Sequence, residues 1–275
     1  MIKDVVVKLS LDPAADPAAS YAMSLAGAFG AHLAGIALAY EPDVMPDPSG
    51  PGARRFLRLR EESQQAAGAA AARFEKDAGA AGVAAAARVM TTTLSGAYNL
   101  FGRIARRFDL AVVAQDNPDK ATSDALAAEG ALFESGRPLV VVPYIHKAGL
   151  KLDRAMACWD GSRPAARAVA DAMPLLARAN NVDLVMVEGD RAKSDEMPGA
   201  DMAEHLARHG LKVAIERILR GDLQVKDALL NYAADSGADL IVMGGYGHSR
   251  MREFVLGGVT RGMLESMTVP TLMSH

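Results

Sequence analysis

The sequence has little cysteine, few aromatic residues and no long apolar run. Cys158 is the only cysteine among 275 residues, so no disulfide can form within the chain and a reducing compartment is favoured. Aromatic residues make up 5% of a chain that is 50% hydrophobic, so the core must be built from Ala, Val, Leu and Met. Neither a transmembrane run nor a signal peptide is recognisable. These absences predict a soluble, cytoplasmic protein.

Strong charge of either sign is also missing. The formal net charge is −3 and the isoelectric point is near 6.1, which argues against binding to nucleic acid or to an anionic membrane. Of the six histidines, only His205 and His209 have a helical i, i+4 spacing, and they lack the glutamate of an HExxH motif. No metal site is predicted.

Short β-branched runs alternate with helical patterns along the whole chain. In the first half we predict strands at 4–9, 33–40, 88–93, 110–114 and 139–142, and helices at 17–29, 54–82, 97–108 and 125–134. In the second half we predict strands at 154–159, 182–187, 211–219, 240–243 and 271–273, and helices at 164–179, 198–209 and 224–236. This order is typical of parallel sheets covered by helices on both faces.

The two halves repeat one pattern over about 145 residues. FDLAVVAQDN in the first half aligns with ADLIVMGGYG in the second, and Leu11-Asp12-Pro13 falls where Trp159-Asp160-Gly161 stands. We therefore expect an α/β protein with two tandem, doubly wound, five-stranded parallel sheets, divided into domains at 1–147 and 148–275. A duplication of this kind predicts a pseudo-dimer within the chain.

A glycine-rich segment follows the fourth strand of the second half. The apolar run 240–243 breaks into Gly244-Gly245-Tyr246-Gly247, where backbone without side chains can form a nest for a phosphate. Nine residues later, Gly257 and Gly258 precede apolar residues at helical spacing, which predicts a helix N-terminus and a second phosphate contact. The intervening segment contains three side chains that can add positive charge, namely His248, Arg250 and Arg252.

The pattern Gly244-x-x-Gly247, nine residues, Gly257 resembles the nucleotide-binding signature of the universal stress protein family. In that family the last glycine is followed by Ser or Thr, whereas this chain has Gly258 there. The backbone donors survive this change, but a side-chain contact to the terminal phosphate is lost. Thr260, two residues further on, is a candidate to replace it.

The resemblance implies a Rossmann-like fold that binds ATP, ADP or AMP, with Mg²⁺ as the partner of ATP. Asp160 matches a residue that contacts the adenine and ribose, and Val187 matches one whose backbone meets the base. Asp160 also fits a turn residue that caps the next helix, and both roles are compatible. The expected nucleotide-site residues are Asp160, Val187, Met243, Gly244, Gly247, His248, Gly257, Gly258, Val259 and Thr260.

The first half lacks these glycines. Ala114 and Asn117 stand where the second half has Gly244 and Gly247, and the carboxylate of Asp116 would repel a phosphate. We expect no nucleotide site there.

The resemblance predicts a cytoplasmic, regulatory stress-response protein that binds an adenine nucleotide and forms homodimers, with at most weak ATPase activity. One alternative is a stress protein that does not bind nucleotide and acts through dimerisation. Another is an enzyme of related fold that cleaves ATP between its α and β phosphates. That enzyme would need a Ser-Gly-Gly loop after the first strand, where this chain has Asp160-Gly161-Ser162, and the sequence contains no Walker motif.

Overall fold

The structure is a computed structural model that describes residues 1–14, 16–43, 50, 52–119, 122–188, 199–245 and 258–275. The chain forms two compact units, Met1–Gly149 and Leu150–His275. The observed division falls two residues after the predicted one. Among the helices of the described ranges, none is long and apolar enough to span a membrane.

The first unit is a five-stranded parallel sheet with connecting helices. Its strands are β1 (Asp4–Lys8), β2 (His32–Glu41), β3 (Ala85–Thr93), β4 (Leu110–Ala114) and β5 (Leu139–Val142). Its helices are α1 (Pro17–Phe29), α2 (Gly52–Ala80), α3 (Ala97–Ala105) and α4 (Asp124–Glu134). The strand order is β3-β2-β1-β4-β5, and the strands pair in parallel.

The second unit repeats this arrangement. Its strands are β6 (Arg154–Cys158), β7 (Asn181–Glu188), β8 (Val213–Leu219), β9 (Leu240–Gly244) and β10 (Thr271–Ser274). Its described helices are α5 (Arg163–Leu176), α6 (Ala200–Arg208), α7 (Val225–Ser236) and α8 (Val259–Ser266). The strand order is β8-β7-β6-β9-β10, again with parallel pairing. The predicted α/β class with two tandem parallel sheets is confirmed.

The central strands are apolar because both faces of a parallel sheet are covered. In β1 and β9, residues 5–7 and 240–242 are fully buried, with exposures of 0%. The outer strands β3 and β8 are instead only partly covered, and their residues are half-buried or exposed. Aliphatic residues account for most of the largest buried side chains, as the low aromatic content predicts.

Helix α5 shows how local sequence defines its two ends. Ser162 is the N-cap, because its hydroxyl accepts a hydrogen bond from the backbone N–H of Ala165. Pro174 lies inside this helix, where a proline favours a kink or an early stop. The helix passes through Pro174 and ends two residues later at Leu176, so the missing N–H of the proline affects only the last turn.

An aspartate at the start of β4 and β9 ties each of these strands to its neighbour. In the first unit, Asp109 Oδ2 accepts hydrogen bonds from the N–H groups of residues 3 and 4, at 2.8 and 3.1 Å. In the second unit, Asp239 Oδ2 does the same for the N–H groups of residues 153 and 154, at 2.9 and 3.0 Å. The sequence repeat is therefore also a repeat of hydrogen bonds.

The connection between the first strand and the first helix differs in length between the two units. Val5 pairs with the first residue of β4, and Ala155 pairs with the first residue of β9, so β1 and β6 hold equivalent positions. Residues 9–16 connect β1 to α1, whereas residues 159–162 connect β6 to α5. Within these connections Asp12 and Asp160 each accept a hydrogen bond at Oδ1 from the backbone N–H two residues further on, at 2.8 and 2.9 Å. The two residues that the sequence alignment matches therefore form the same kind of turn.

We expect Asp239→Ala to lower the free energy of unfolding by about 1–2 kcal/mol, since two backbone N–H groups lose their acceptor. Asp109→Ala should have a similar effect. Urea denaturation measures both, with the exposed Asp235→Ala as a control that should change stability by less than about 0.5 kcal/mol. Equal stability of Asp239→Ala and the control would contradict the proposed role.

Candidate functional site

The candidate site lies at the carboxyl edge of the second sheet, between β6 and β9. These two strands are neighbours, but the chain leaves them in opposite directions across the sheet, so this is the topological switch point at which α/β proteins bind ligands. Asp160 follows β6, and Gly244 ends β9. Helix α8 follows β9 in the chain and leads into the parallel strand β10. Its N-terminus therefore lies at the same edge of the sheet.

Asp160 forms the turn that leads from β6 into α5. Its Oδ1 accepts a hydrogen bond from the backbone N–H of Ser162 at 2.9 Å, and Gly161 between them has a φ of 75°, which favours glycine. The predicted turn role of Asp160 is therefore confirmed, whereas the residue that caps the next helix is Ser162 and not Asp160. The side chain is exposed at the rim of the crevice, which leaves it accessible to a ligand.

Gly244 is a point of close backbone packing. A Cβ added at Gly244 would lie 2.6 Å from both the backbone nitrogen of Ala165 and the carbonyl carbon of Pro164. The first turn of α5 therefore approaches the end of β9 more closely than any larger residue permits. This packing explains the glycine without a ligand, and a phosphate contact at Gly244 stays a prediction.

The next residue, Gly245, has its backbone groups engaged within the protein. Its N–H donates to the carbonyl of Ser274 at 2.8 Å, and its carbonyl oxygen lies 3.0 Å from Nδ1 of His275. An N–H that continues the sheet ladder is not available to a phosphate. The phosphate nest expected from the glycine-rich segment therefore does not include the N–H of Gly245.

The start of α8 offers backbone donors. Gly258 is the N-cap with φ −52° and ψ 155°, and as a glycine it has no side chain that could cap the first turn. The first N–H groups of a helix have no partner within it and lie at the positive end of the helix dipole. Gly258 and Val259 are half-buried, so this N-terminus reaches the surface and is suited to an anion.

Thr260 is a buried residue of α8. The residue is 2% exposed and lies in the first turn of α8 on its buried side. The expected replacement for the family Ser or Thr therefore has almost no surface for a ligand to contact. Any phosphate contact in this turn would come from backbone.

The remaining predicted site residues divide into two groups. Val187 is half-buried near the end of β7, and Met243 is 5% exposed, immediately before Gly244. Three predicted residues lie outside the described ranges, namely Gly247, His248 and Gly257, as do Arg250 and Arg252. The described residues thus include Asp160 and Val187, which the resemblance assigns to the nucleoside, and Gly258, which it assigns to the phosphates.

Cys158 and Trp159 close β6 beneath Asp160. Both side chains are half-buried, and Trp159 extends the ladder by donating its N–H to Val185 at 2.8 Å. Burial, together with the negative charge of Asp160, raises the pKa of Cys158 to about 12. Since the thiolate is the nucleophilic form, Cys158 is poorly suited to covalent chemistry.

Titratable side chains show no arrangement typical of a metal centre. Within the described part of the chain, no group of three His, Cys, Asp or Glu residues is close enough to hold a metal ion. His205 and His209 lie next to each other, with ring centroids 4.8 Å apart in an edge-to-face contact.

Sequence reasoning missed a charged pair at the equivalent edge of the first unit. Lys8 ends β1 and is 5% exposed, and its Nζ lies 2.5 Å from Oδ1 of Asp124, the first residue of α4. A lysine that closes an otherwise apolar strand was the available signal. Asp116, which had been expected to repel phosphate there, accepts a hydrogen bond from the hydroxyl of Thr122 at 2.6 Å.

A scan against protein families matches residues 151–275 to the Universal stress protein family. The second unit belongs to the universal stress protein family. Over 67 residues the chain is also 33% identical to the universal stress protein Slr1230 of Synechocystis, a match that covers 24% of this chain. It spans only 22% of the Synechocystis protein.

Solved structures extend the similarity of fold to the first unit. A universal stress protein from Archaeoglobus fulgidus superposes with a TM-score of 0.68 at 17% identity, over 98% of this chain and 97% of that chain. A protein of unknown function from Pseudomonas aeruginosa superposes with a TM-score of 0.59 at 14% identity, over 99% of this chain and 92% of that chain. Both units of the chain therefore have the fold of a tandem universal stress protein.

Gly244→Ala should lower the free energy of unfolding of the protein by about 1–3 kcal/mol, because the new methyl group overlaps backbone atoms of α5. Chemical denaturation measures the change. Gly68→Ala is the matched control, since that helical glycine has open space around it and the substitution should raise stability by about 1 kcal/mol. An unchanged stability for Gly244→Ala would show that the close contact does not exist.

Cys158 should react with iodoacetamide at pH 8 at least about 100-fold more slowly in the native protein than in the unfolded chain. Its raised pKa keeps the thiol protonated, whereas an unfolded cysteine ionises near pH 8.5. Mass spectrometry at timed intervals, with and without guanidinium, measures the two rates. Native and unfolded rates within about tenfold of each other would contradict the assignment.

Proposed function

We propose that the second unit binds an adenine nucleotide in the crevice between β6 and β9, and that the protein is a cytoplasmic, regulatory stress-response protein. The observation that carries this proposal is the N-terminus of α8. It begins at Gly258, at the switch point of the sheet, with no side-chain cap and no acidic residue in its first turn. A bare helix N-terminus of this kind favours a phosphate group.

The nucleoside would lie on the β6 and β7 side of the crevice. The exposed carboxylate of Asp160 is positioned to accept hydrogen bonds from ribose hydroxyl or adenine amino groups. Val187 adds a half-buried apolar surface and backbone groups near the end of β7. The family resemblance gives the same two residues these roles.

Phosphate recognition would rest mainly on backbone in the described part of the site. Gly258 has no hydroxyl, and Thr260 is buried, so neither side chain adds a contact to the terminal phosphate. We therefore expect weak discrimination among ATP, ADP and AMP. Any Mg²⁺ would be bound by the phosphates of ATP.

A regulatory role fits the chemistry of the site better than an enzymatic one. The thiol of Cys158 is held protonated by its raised pKa, and the Asp160 carboxylate already accepts a hydrogen bond within its turn. Binding without dedicated catalytic groups would give at most slow ATP hydrolysis.

A second candidate is a stress protein that has lost nucleotide binding and acts by forming homodimers. Two observations favour it, the glycine at position 258 and the burial of Thr260, because both reduce the contacts available to a phosphate. A homodimer is also expected under the first proposal, so oligomeric state alone would not separate the two.

Calorimetric titration with ATP, with and without Mg²⁺, tests the proposal. We expect one site per chain and at least about tenfold weaker binding for Gly258→Asp, because a carboxylate at the N-cap repels phosphate. Gly258→Asn is the matched control, since it has nearly the same shape and is also a good N-cap but carries no charge. It should bind more tightly than the aspartate variant.

The thermal stability of the two variants separates a binding defect from misfolding. Both substitutions should keep or raise the melting temperature, since Asp and Asn cap helices better than Gly does. Absence of saturable binding to ATP, ADP and AMP by the folded parent protein would overturn the nucleotide proposal and favour the second candidate. Equal affinities for Gly258→Asp and Gly258→Asn would place the phosphates elsewhere.

A further inference from the structure

The switch point of the first unit, at the carboxyl ends of β1 and β4, contains a buried ion pair. Lys8 ends β1 with only 5% of its surface exposed, and its ammonium group lies 2.5 Å from Asp124 Oδ1. Burial lowers the pKa of Lys8, but the charge and hydrogen bond of Asp124, together with the charges of Tyr40 and Asp16, outweigh this effect, and the pKa lies above its ordinary value. Lys8 is therefore a cation held inside the protein.

Asp124 occupies the position that a bound anion would take. It is the first residue of α4, so its carboxylate lies at the positive end of that helix dipole. Asp124 is 8% exposed. The hydroxyl of the neighbouring Ser123 forms a hydrogen bond with the hydroxyl of Tyr40, at the end of β2. The N-terminus of α4 is thus already neutralised by a side chain of the same unit.

Asp16 strengthens this arrangement. It caps α1, its Oδ1 accepts from the N–H of Ala19 at 2.9 Å, and its Oδ2 accepts from the N–H of Ser10 at 2.7 Å. The attraction between Lys8 and both Asp16 and Asp124 contributes to the raised pKa of the lysine. Backbone and side-chain groups at this edge are therefore satisfied from within the first unit.

The second unit lacks both charges at the corresponding places. Counting along the paired strands, Cys158 corresponds to Lys8, and its thiol stays protonated. The first turn of α8 contains no acidic residue. Within the described part of the second unit, α8 therefore has no carboxylate of its own first turn in the place that Asp124 takes in α4.

We propose that Asp124 is a built-in substitute for a ligand phosphate, with Lys8 as its counter-ion, and that this pair closes the first unit to nucleotides. The expected limit of one nucleotide per chain rests on the proposed function of the second unit. The closure of the first unit by Lys8 and Asp124 does not depend on it.

The test is calorimetric titration of the full chain with ATP, comparing the number of sites in the parent protein and in Asp124→Ala. Removal of the carboxylate leaves a buried ammonium group and a vacant helix N-terminus, so the variant should bind one more ATP per chain than the parent. The double variant Lys8→Met/Asp124→Ala is the matched control. It lacks the ammonium group and should keep the number of sites found in the parent.

Circular dichroism establishes that each variant is folded. If Asp124→Ala fails to fold, Asp124→Ser decides, because its hydroxyl can still accept a hydrogen bond from Lys8 while the charge is removed and the side chain is shortened. A folded variant with the parent number of sites overturns the proposal.

The outcome is readable whether or not the second unit binds nucleotide. An increase from one site to two supports both proposals, and an increase from none to one supports only the closure of the first unit. Adding Gly258→Asp to Asp124→Ala locates the gained site, since binding to the first unit should survive that change. Loss of the gained site in this combination would also overturn the proposal.

Discussion

Parallel pairing of the two central strands in each unit, β1 with β4 and β6 with β9, is the constraint on which the candidate sites depend. It brings the carboxyl ends of both strands to one edge of the sheet and leaves a crevice there, because the chain turns away from each strand in opposite directions. The helices that follow these strands begin at the same edge. Asp109 and Asp239 anchor the pairing at its other end, through backbone N–H groups of the adjacent strand.

The two units use this common frame differently, and charge is the main difference. In the first unit an ammonium group and a carboxylate meet inside the crevice, so that neither of these buried charges is left unpaired. In the second unit the equivalent strand end is a neutral thiol, and the helix N-terminus begins with glycine. In one copy of the duplicated domain the helix N-terminus thus carries a paired carboxylate of the protein. In the other copy the first turn of the helix has no acidic residue.

Close packing is the second difference between the units. Gly244 allows the first turn of α5 to lie against the end of β9, where a side chain would overlap backbone atoms. Ala114 occupies the equivalent place in the first unit, where the connection from β1 to α1 is longer. A glycine in a ligand-binding motif can therefore serve the fold, and its presence is not by itself proof of a ligand contact.

Residues close together in sequence were predictable because they interact through local rules. The β-branched runs of β1 and β9, the N-cap Ser162 and the turn at Asp160 each follow from neighbouring residues, and the structure places them as expected. The repeat in the sequence likewise determined two tandem α/β units. The length of the connection after β1 was not readable in this way, since it spans residues 9–16 in the first unit and only 159–162 in the second.

Contacts between distant residues were decided only by the tertiary structure. Lys8 and Asp124 are 116 residues apart, and nothing in either local sequence indicates that a buried lysine will meet a helix N-terminus. The clash that excludes a side chain at Gly244 and the burial of Thr260 also depend on how helices pack on the sheet. The sequence by itself determined the elements, the duplication and the family motif. Only the tertiary structure decided which charges are paired and which residues are closely packed at the carboxyl edge of each sheet, because these contacts join residues that only the sheet brings together.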